Sequence, residues 1–210
     1  MPASSAIKKY PRFPKTEKTD QDKEYRGREA VILFQGILKR GRGLHQAIQA
    51  VASLTQGSLR IIGYGELESE LKQVAGTPSI AERIEFKGKV PLEKLLRETG
   101  KVRAGLVLFE PLTVNYTYAS PNKFFEYVMA GTPLIASDIP TFRQFNSEYE
   151  VAILVDPSNI TRISEAMNTL LTDEETWNRL HHNCLKARER WNWEAQEQTL
   201  LDIYRKFLDT

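Results

Sequence analysis

A chain of 210 residues with 41% hydrophobic residues and a formal net charge of +2 has the make-up of one sizeable globular domain plus an appendage. The near balance of charge argues against a dedicated nucleic-acid surface and leaves room for a local anion site. The single cysteine, Cys184, excludes an intramolecular disulfide, and with only His45, His181 and His182 beside it a structural zinc site is not expected.

Residues 1–28 carry many Lys, Asp and Pro residues with little periodicity and read as an N-terminal arm or linker, with the domain proper over 29–210. The N-terminus has no apolar signal core, and no apolar run approaches the roughly 20 residues of a membrane span. The expectation is a soluble cytoplasmic protein without an integral membrane segment.

From there the chain alternates. Apolar runs at Ala30–Phe34, Leu59–Ile62, Ile84–Phe86, Gly105–Phe109, Pro133–Ala136 and Ala152–Val155 read as strands. Segments with helical spacing lie near Leu44–Leu54, Glu66–Val74, Leu92–Glu98, Asn122–Ala130, Thr141–Asn146 and Ile160–Leu171. That rhythm predicts an α/β fold, a single Rossmann-like doubly wound parallel sheet of about six strands with helices on both faces. Two more helices are expected near Glu174–Arg190 and Glu194–Leu208, the last with an apolar stripe of Leu200, Leu201, Ile203, Tyr204, Phe207 and Leu208. Trp191 and Trp193 between them read as packing residues.

In a doubly wound sheet ligands sit at the carboxyl ends of the strands, and the candidate site residues all follow strands. The first such loop, Gln35-Gly36-Ile37-Leu38-Lys39-Arg40-Gly41-Arg42-Gly43, spaces glycines among three cations and could hold a diphosphate, with Gly36 and Lys39 as contacts. A solvated basic turn is the competing reading, since the spacing is neither the dinucleotide fingerprint nor a Walker A loop. Gly63-Tyr64-Gly65 follows the second strand, either bordering a nucleotide or turning the chain. Phe86-Lys87-Gly88-Lys89-Val90 follows the third, where exposed backbone at Val90 could read a base edge. The fourth runs into Phe109-Glu110-Pro111 and an aromatic loop with Asn115, Tyr116 and Tyr118, suited either to gripping a sugar or to packing.

The stretch Ser120 to Pro133 is the most informative. Ser120 is expected as N-cap and Pro121 as the first helical residue, with Gly131 and Pro133 as the stop. First-turn N–H groups at Asn122 and Lys123, just past Pro121, and the positive end of the helix dipole favour an anion. Lys123 adds a full charge, and Glu126, one turn on, could accept hydrogen bonds from sugar hydroxyls. The alternative is a solvated Lys123–Glu126 pair above a core of Phe124, Phe125, Val128 and Met129.

Taken in order, Phe34-Gln35-Gly36, Arg42-Gly43, Ile62-Gly63-Tyr64-Gly65, Ile84 to Gly88, Ser120 to Pro133, Ala136-Ser137-Asp138-Ile139-Pro140 and Trp193-Glu194 resemble the C-terminal, nucleotide-sugar-binding half of family 4 glycosyltransferases (group 1) with the GT-B fold. Residues 28–208 are covered, and Tyr10-Pro11-Arg12 resembles the chain linking the two halves of such enzymes. The resemblance implies one half of a GT-B fold and retaining transfer of a hexosyl group from a nucleoside diphosphate sugar, in polysaccharide biosynthesis, without metal or other cofactor. It places Arg42 as the diphosphate-binding base, Glu126 as the second glutamate of E-x7-E on the donor ribose, and Lys123 with the amides after Ser120 on the leaving diphosphate. These three are the expected catalytic residues, with Glu110 among the donor contacts. Two positions depart: the first glutamate falls at Tyr118 and a second loop base at Ile37.

The resemblance also implies a missing N-terminal acceptor-binding domain or partner subunit, with peripheral membrane attachment open in the full enzyme. Competing readings are a scaffold domain that has lost its chemistry and half of a nucleotide-sugar epimerase or a phosphorylase on the same architecture.

Overall fold

The computed structural model describes residues 24–208, so most of the expected arm, including Tyr10-Pro11-Arg12, lies outside the described residues. Six strands, β1 (Glu29–Ile37), β2 (Ser58–Tyr64), β3 (Ile84–Gly88), β4 (Val102–Val107), β5 (Leu134–Ser137) and β6 (Ala152–Val155), form one sheet in the order β3-β2-β1-β4-β5-β6. Every neighbouring pair is parallel. The helices are α1 (Leu44–Ala50), α2 (Glu68–Ala75), α3 (Leu92–Lys101), α4 (Val114–Thr117), α5 (Asn122–Met129), α6 (Pro140–Tyr149), α7 (Ile160–Thr172), α8 (Glu174–Arg188) and α9 (Trp193–Leu208). The order reverses direction between β1 and β4, the switch point at which open α/β sheets bind ligands.

Strand alternation divides the core. Ile32 and Phe34 of β1 pack with α1, α2 and α7 through Leu44, Ile48, Leu71 and Ile163, whereas Val31 and Leu33 pack with α5 and α6 through Phe124, Tyr127, Val128 and Phe142. Both faces of the sheet are covered, which accounts for the near-continuous apolar runs in the strands.

Several boundaries differ from those expected. β1 and β2 run past their glycines, because Gly36 pairs with Gly63 and Ile37 with Tyr64 in the ladder. β4 begins at Val102 and ends at Val107, so Phe109 belongs to the loop beyond it. The helix carrying Lys123 starts one residue late: Pro121 occupies the cap with extended backbone (φ −79°, ψ 140°) and Asn122 is the first helical residue. Proline fixes φ but not ψ, and at the cap it offers no side-chain acceptor; Ser120 is therefore not the N-cap. Trp191 packs against Phe124, Phe125, Phe145 and Tyr149, as a packing residue should, but Trp193 is 53% exposed. On α9 the stripe Leu200, Leu201, Ile203, Tyr204 and Phe207 is exposed as well.

The end of the expected arm is built into the domain. Tyr25 is buried edge-on to Trp177 and donates its hydroxyl to the Leu171 carbonyl at 2.6 Å. Arg28, also buried, donates to the Thr132 hydroxyl and to the carbonyls of Val102 and Ala130.

Helix α5 is fixed at its carboxyl end and in its middle. Gly131 takes a left-handed conformation (φ +62°), its N–H reaches the Val128 carbonyl and the Thr132 N–H reaches Tyr127, a Schellman closure that only glycine makes without strain. His181 donates from Nδ1 to the Gly131 carbonyl, and burial pushes its pKa down to about 4, so the ring is neutral. In the middle, the Tyr127 ring lies over Gly105 of β4, and its hydroxyl donates to the Leu33 carbonyl of β1 at 2.7 Å. Leu33 and Gly105 are partners across the ladder. A Cβ on Gly105 would stand 2.3 Å from the Tyr127 ring. Gly105→Ala is therefore expected to lower unfolding free energy by about 1–3 kcal/mol, the cost of overpacking a closed core, measured by denaturant titration.

Candidate functional site

Where the carboxyl ends of β1 and β2 lie side by side, two glycines face each other. A Cβ on Gly63 would overlap the Gly36 carbonyl at 1.8 Å, so only glycine permits that approach, while a Cβ on Gly36 would meet nothing within 4 Å. The result is an open notch floored by backbone at the carboxyl end of β1, beside the switch point. Beyond it, the Leu38 N–H donates to the Tyr64 carbonyl and the Leu67 N–H to Leu38, tying the loop after β1 to the turn after β2.

Two cations converge above one aromatic ring at this end of the sheet. The Arg42 guanidinium lies 4.2 Å from the centroid of Phe109 and 5.2 Å from that of Tyr116. The Lys123 ammonium lies 4.2 Å from the centroid of Phe34 and 5.6 Å from that of Phe109. Aromatic faces attract cations but do not neutralise them. Burial lowers the Arg42 pKa from its ordinary value. The Lys123 pKa is pushed down to about 7, chiefly by loss of water, then by the Arg42 charge, with Glu126 pulling the other way. Such a pair of desolvated positive charges suits a bound polyanion.

The loop holding Arg42 is braced by the loop after β4. Glu110 accepts from the Gly43 N–H at 3.2 Å and its own N–H donates to the Gly41 carbonyl, so Glu110 acts as a strut on the cationic loop. Gly43 is the cap of α1, and Glu110 there supplies the carboxylate that its missing side chain cannot. The Tyr116 hydroxyl donates to the Arg40 carbonyl, and Lys39 sits 5.8 Å from the Tyr116 ring centroid.

Glu126, on the next turn after Lys123, accepts at Oε2 from Gln35 Nε2 at 2.6 Å. Burial raises its pKa, opposed first by that hydrogen bond and then by the Lys123 charge. The amides of Asn122 and Lys123 have no preceding turn to bond, so the dipole end of α5 opens on the same region. Gln35 was not singled out by the sequence as a site residue, although a polar residue between Val31–Phe34 and Gly36, in a strand buried on both faces, is a signal of that kind. Phe109, the ring shared by the cations, gave no local signal.

Other expected contacts lie further out. Tyr64 is 53% exposed with Lys89 5.5 Å from its ring centroid, and Val90 packs its side chain on the α5 side of the core, leaving only its backbone to a ligand. Tyr118 and Ile37 are exposed. Among the described residues no group of three or more His, Cys, Asp or Glu is gathered as a metal site, and no helix is long and apolar enough to cross a membrane.

Comparison with known proteins gives a family and a set of relatives. The family model of glycosyl transferases group 1 matches residues 15–187. The phosphatidyl-myo-inositol mannosyltransferase of Mycobacterium leprae is 27% identical over 154 residues, which are 70% of this chain and 37% of that protein. Among solved structures, S. aureus TarM, crystallised with fondaparinux, alpha-GlcNAc-glycerol and UDP, has a TM-score of 0.72 at 11% identity over 90% of this chain and 37% of that one. Anabaena HepE in complex with UDP-glucose has a TM-score of 0.69 at 17% identity over 85% and 49%. The chain thus spans less than half the length of these relatives, and the structural likenesses establish the fold.

The depressed Lys123 pKa has a consequence for stability. From about pH 7 to its ordinary 10.5, the unfolded chain holds a proton that the folded chain has released. Stability therefore rises with pH through that window and is lowest below it, where the folded protein carries the desolvated charge. Lys123→Met is expected to be more stable than the parent at about pH 6, with the difference shrinking towards about pH 10, as thermal melts at both values would show.

Proposed function

The chain belongs to the glycosyl transferases group 1 family, and on that premise we propose that the cleft at the switch point is the donor half of a sugar-transfer site. Its ligand is a nucleoside diphosphate sugar, and the reaction is retaining transfer of a hexosyl group to an acceptor. The observation that carries this reading is the convergence of Arg42 and Lys123 on Phe109, one helical turn from the carboxylate of Glu126.

When the bond between sugar and diphosphate breaks, negative charge grows on the leaving phosphate oxygens. Arg42 and Lys123 meet that charge, with the first amides of α5 beside them. Being already desolvated, they need little reorganisation as the charge develops. Glu126 faces the donor ribose as a hydrogen-bond acceptor, and the notch at Gly36 and Gly63 admits the diphosphate close to the backbone. Chemistry at the acceptor requires a second, acceptor-binding half, on the same polypeptide or on a partner subunit. The relatives crystallised with UDP and UDP-glucose support this class of donor.

A second reading is a non-catalytic binding domain. It draws on Tyr118 and Ile37, both exposed, which stand where the family resemblance puts a glutamate and a base.

Calorimetry with UDP, GDP and their common sugar conjugates tests the proposal. One nucleotide is expected to bind saturably, and Arg42→Ala and Glu126→Ala to weaken it by about tenfold or more, the worth of one charge-assisted contact. Affinity is also expected to strengthen as pH falls from about 8 to 6, because the anion favours charged Lys123. Comparison with Lys123→Met removes the nucleotide's own titration. No binding by the folded chain, or binding indifferent to all three substitutions, rules the site out.

A further inference from the structure

Gln35 is a buried amide in the central strand, 2% exposed, between apolar Phe34 and the open notch at Gly36. We propose that Gln35 is the positioning residue of the site, holding one oxygen of the Glu126 carboxylate so that the other is presented to the ribose hydroxyls. This inference rests on the donor-site reading above.

The hydrogen bonds assign each atom a part. Gln35 Nε2 donates to Glu126 Oε2 at 2.6 Å; a reversed amide would set two acceptors against each other there, so the nitrogen faces the carboxylate. That leaves Gln35 Oε1 towards Thr99, whose hydroxyl lies 2.9 Å away and 2.8 Å from the Leu95 carbonyl. The single Thr99 proton is shared between those two acceptors and fixes the amide plane. Thr99 is itself fully buried on α3. Behind the side chain, the Gln35 backbone is locked into the ladder opposite Ile62.

The chain Thr99–Gln35–Glu126 thus runs from the core to the carboxylate with each link directional. Among the described residues the hydrogen bond to Glu126 is made at Oε2, which leaves Oε1 to accept from a ligand. A neutral amide restrains the carboxylate without cancelling its charge, as an arginine or lysine at this position would. It also opposes the upward push of burial on the Glu126 pKa, keeping the group an acceptor. Leucine has nearly the same size and suits a strand whose neighbours Val31–Phe34 are apolar.

The test compares UDP with 2′,3′-dideoxy-UDP, and GDP with 2′,3′-dideoxy-GDP, by calorimetry on the parent chain, Gln35→Leu, Glu126→Ala and the double variant. The parent is expected to prefer the ribonucleotide by about tenfold or more, a preference that Gln35→Leu reduces several-fold while affinity for the dideoxy form stays nearly unchanged. In the Glu126→Ala background, Gln35→Leu is expected to add nothing further. Thr99→Val, which removes only the orienting hydroxyl, should cause a smaller loss in the same direction, and it carries the test if Gln35→Leu does not fold. An unchanged preference in either folded variant, or an equal loss for both nucleotide forms, overturns the positioning role while leaving the donor site standing. Failure of the parent to bind any of the four overturns the donor-site reading and this inference with it.

Discussion

Helix α5 carries both Lys123 and Glu126, so the geometry of the site is set by how that helix is seated on the sheet. Its seat has three supports of different chemistry. Phe124 stacks on Phe142 with centroids 5.0 Å apart and closes an aromatic cluster that Trp191 caps from the α8–α9 junction. The Tyr127 hydroxyl crosses one strand to bond the next, made possible by Gly105 beneath its ring. At the carboxyl end, the buried Arg28 guanidinium meets the Ala130 carbonyl, the negative end of the helix dipole. With the helix held this way, the spacing of Lys123 and Glu126 is a rigid property of the backbone rather than a choice of rotamers.

The electrostatics of the cleft work against the apo fold and in favour of a bound anion. Arg42 and Lys123 both lose water, and the Arg42 charge raises the cost of charging Lys123. The aromatic rings beneath them return a part of that cost, since a cation over a desolvated ring gains up to about 2 kcal/mol. Glu126, one turn on from Lys123 and tied to Gln35, offsets a part of that cost through its own charge. An arrangement that costs stability and is retained at the switch point of the sheet is the usual mark of a binding site.

The sheet class was legible because alternation of short apolar runs with helical spacing is a property of contiguous residues, and each run later proved to be a strand in the parallel sheet. Helix α5 was legible for the same reason, through Gly131 and the spacing of Lys123 to Glu126. What the sequence hid depends on contacts between distant segments. Gln35 meets Glu126 across 91 positions, and Phe109 gathers its two cations from the loop after β1 and from the first turn of α5. Strand pairing also overrode local propensity at Gly36 and Gly63, which read as loop residues but continue the ladder because Gly63 has no Cβ to strike the Gly36 carbonyl. Ser120 misled for a local reason: it is a good capping residue one position too early, displaced by a proline whose ψ is extended.

The clasp between Tyr25 and the α7–α8 region bears on the order in which the chain can fold. Tyr25 bonds the Leu171 carbonyl 146 positions downstream and rests on Trp177, while Arg103 bonds the same carbonyl and stacks on the Tyr25 ring with its guanidinium 3.8 Å from the centroid. During synthesis, which proceeds from the N-terminus at about 5–20 residues per second, β1 to β4 are available well before α8 exists. Arg28 finds its hydrogen-bond partners earlier, at Val102, Ala130 and Thr132, but Tyr25 must wait until α7 and α8 emerge. Contacts of such long sequence separation are slow to close. A chain truncated before Trp177 would keep the Leu171 carbonyl and the Arg28 hydrogen bonds but lose the ring against which Tyr25 packs.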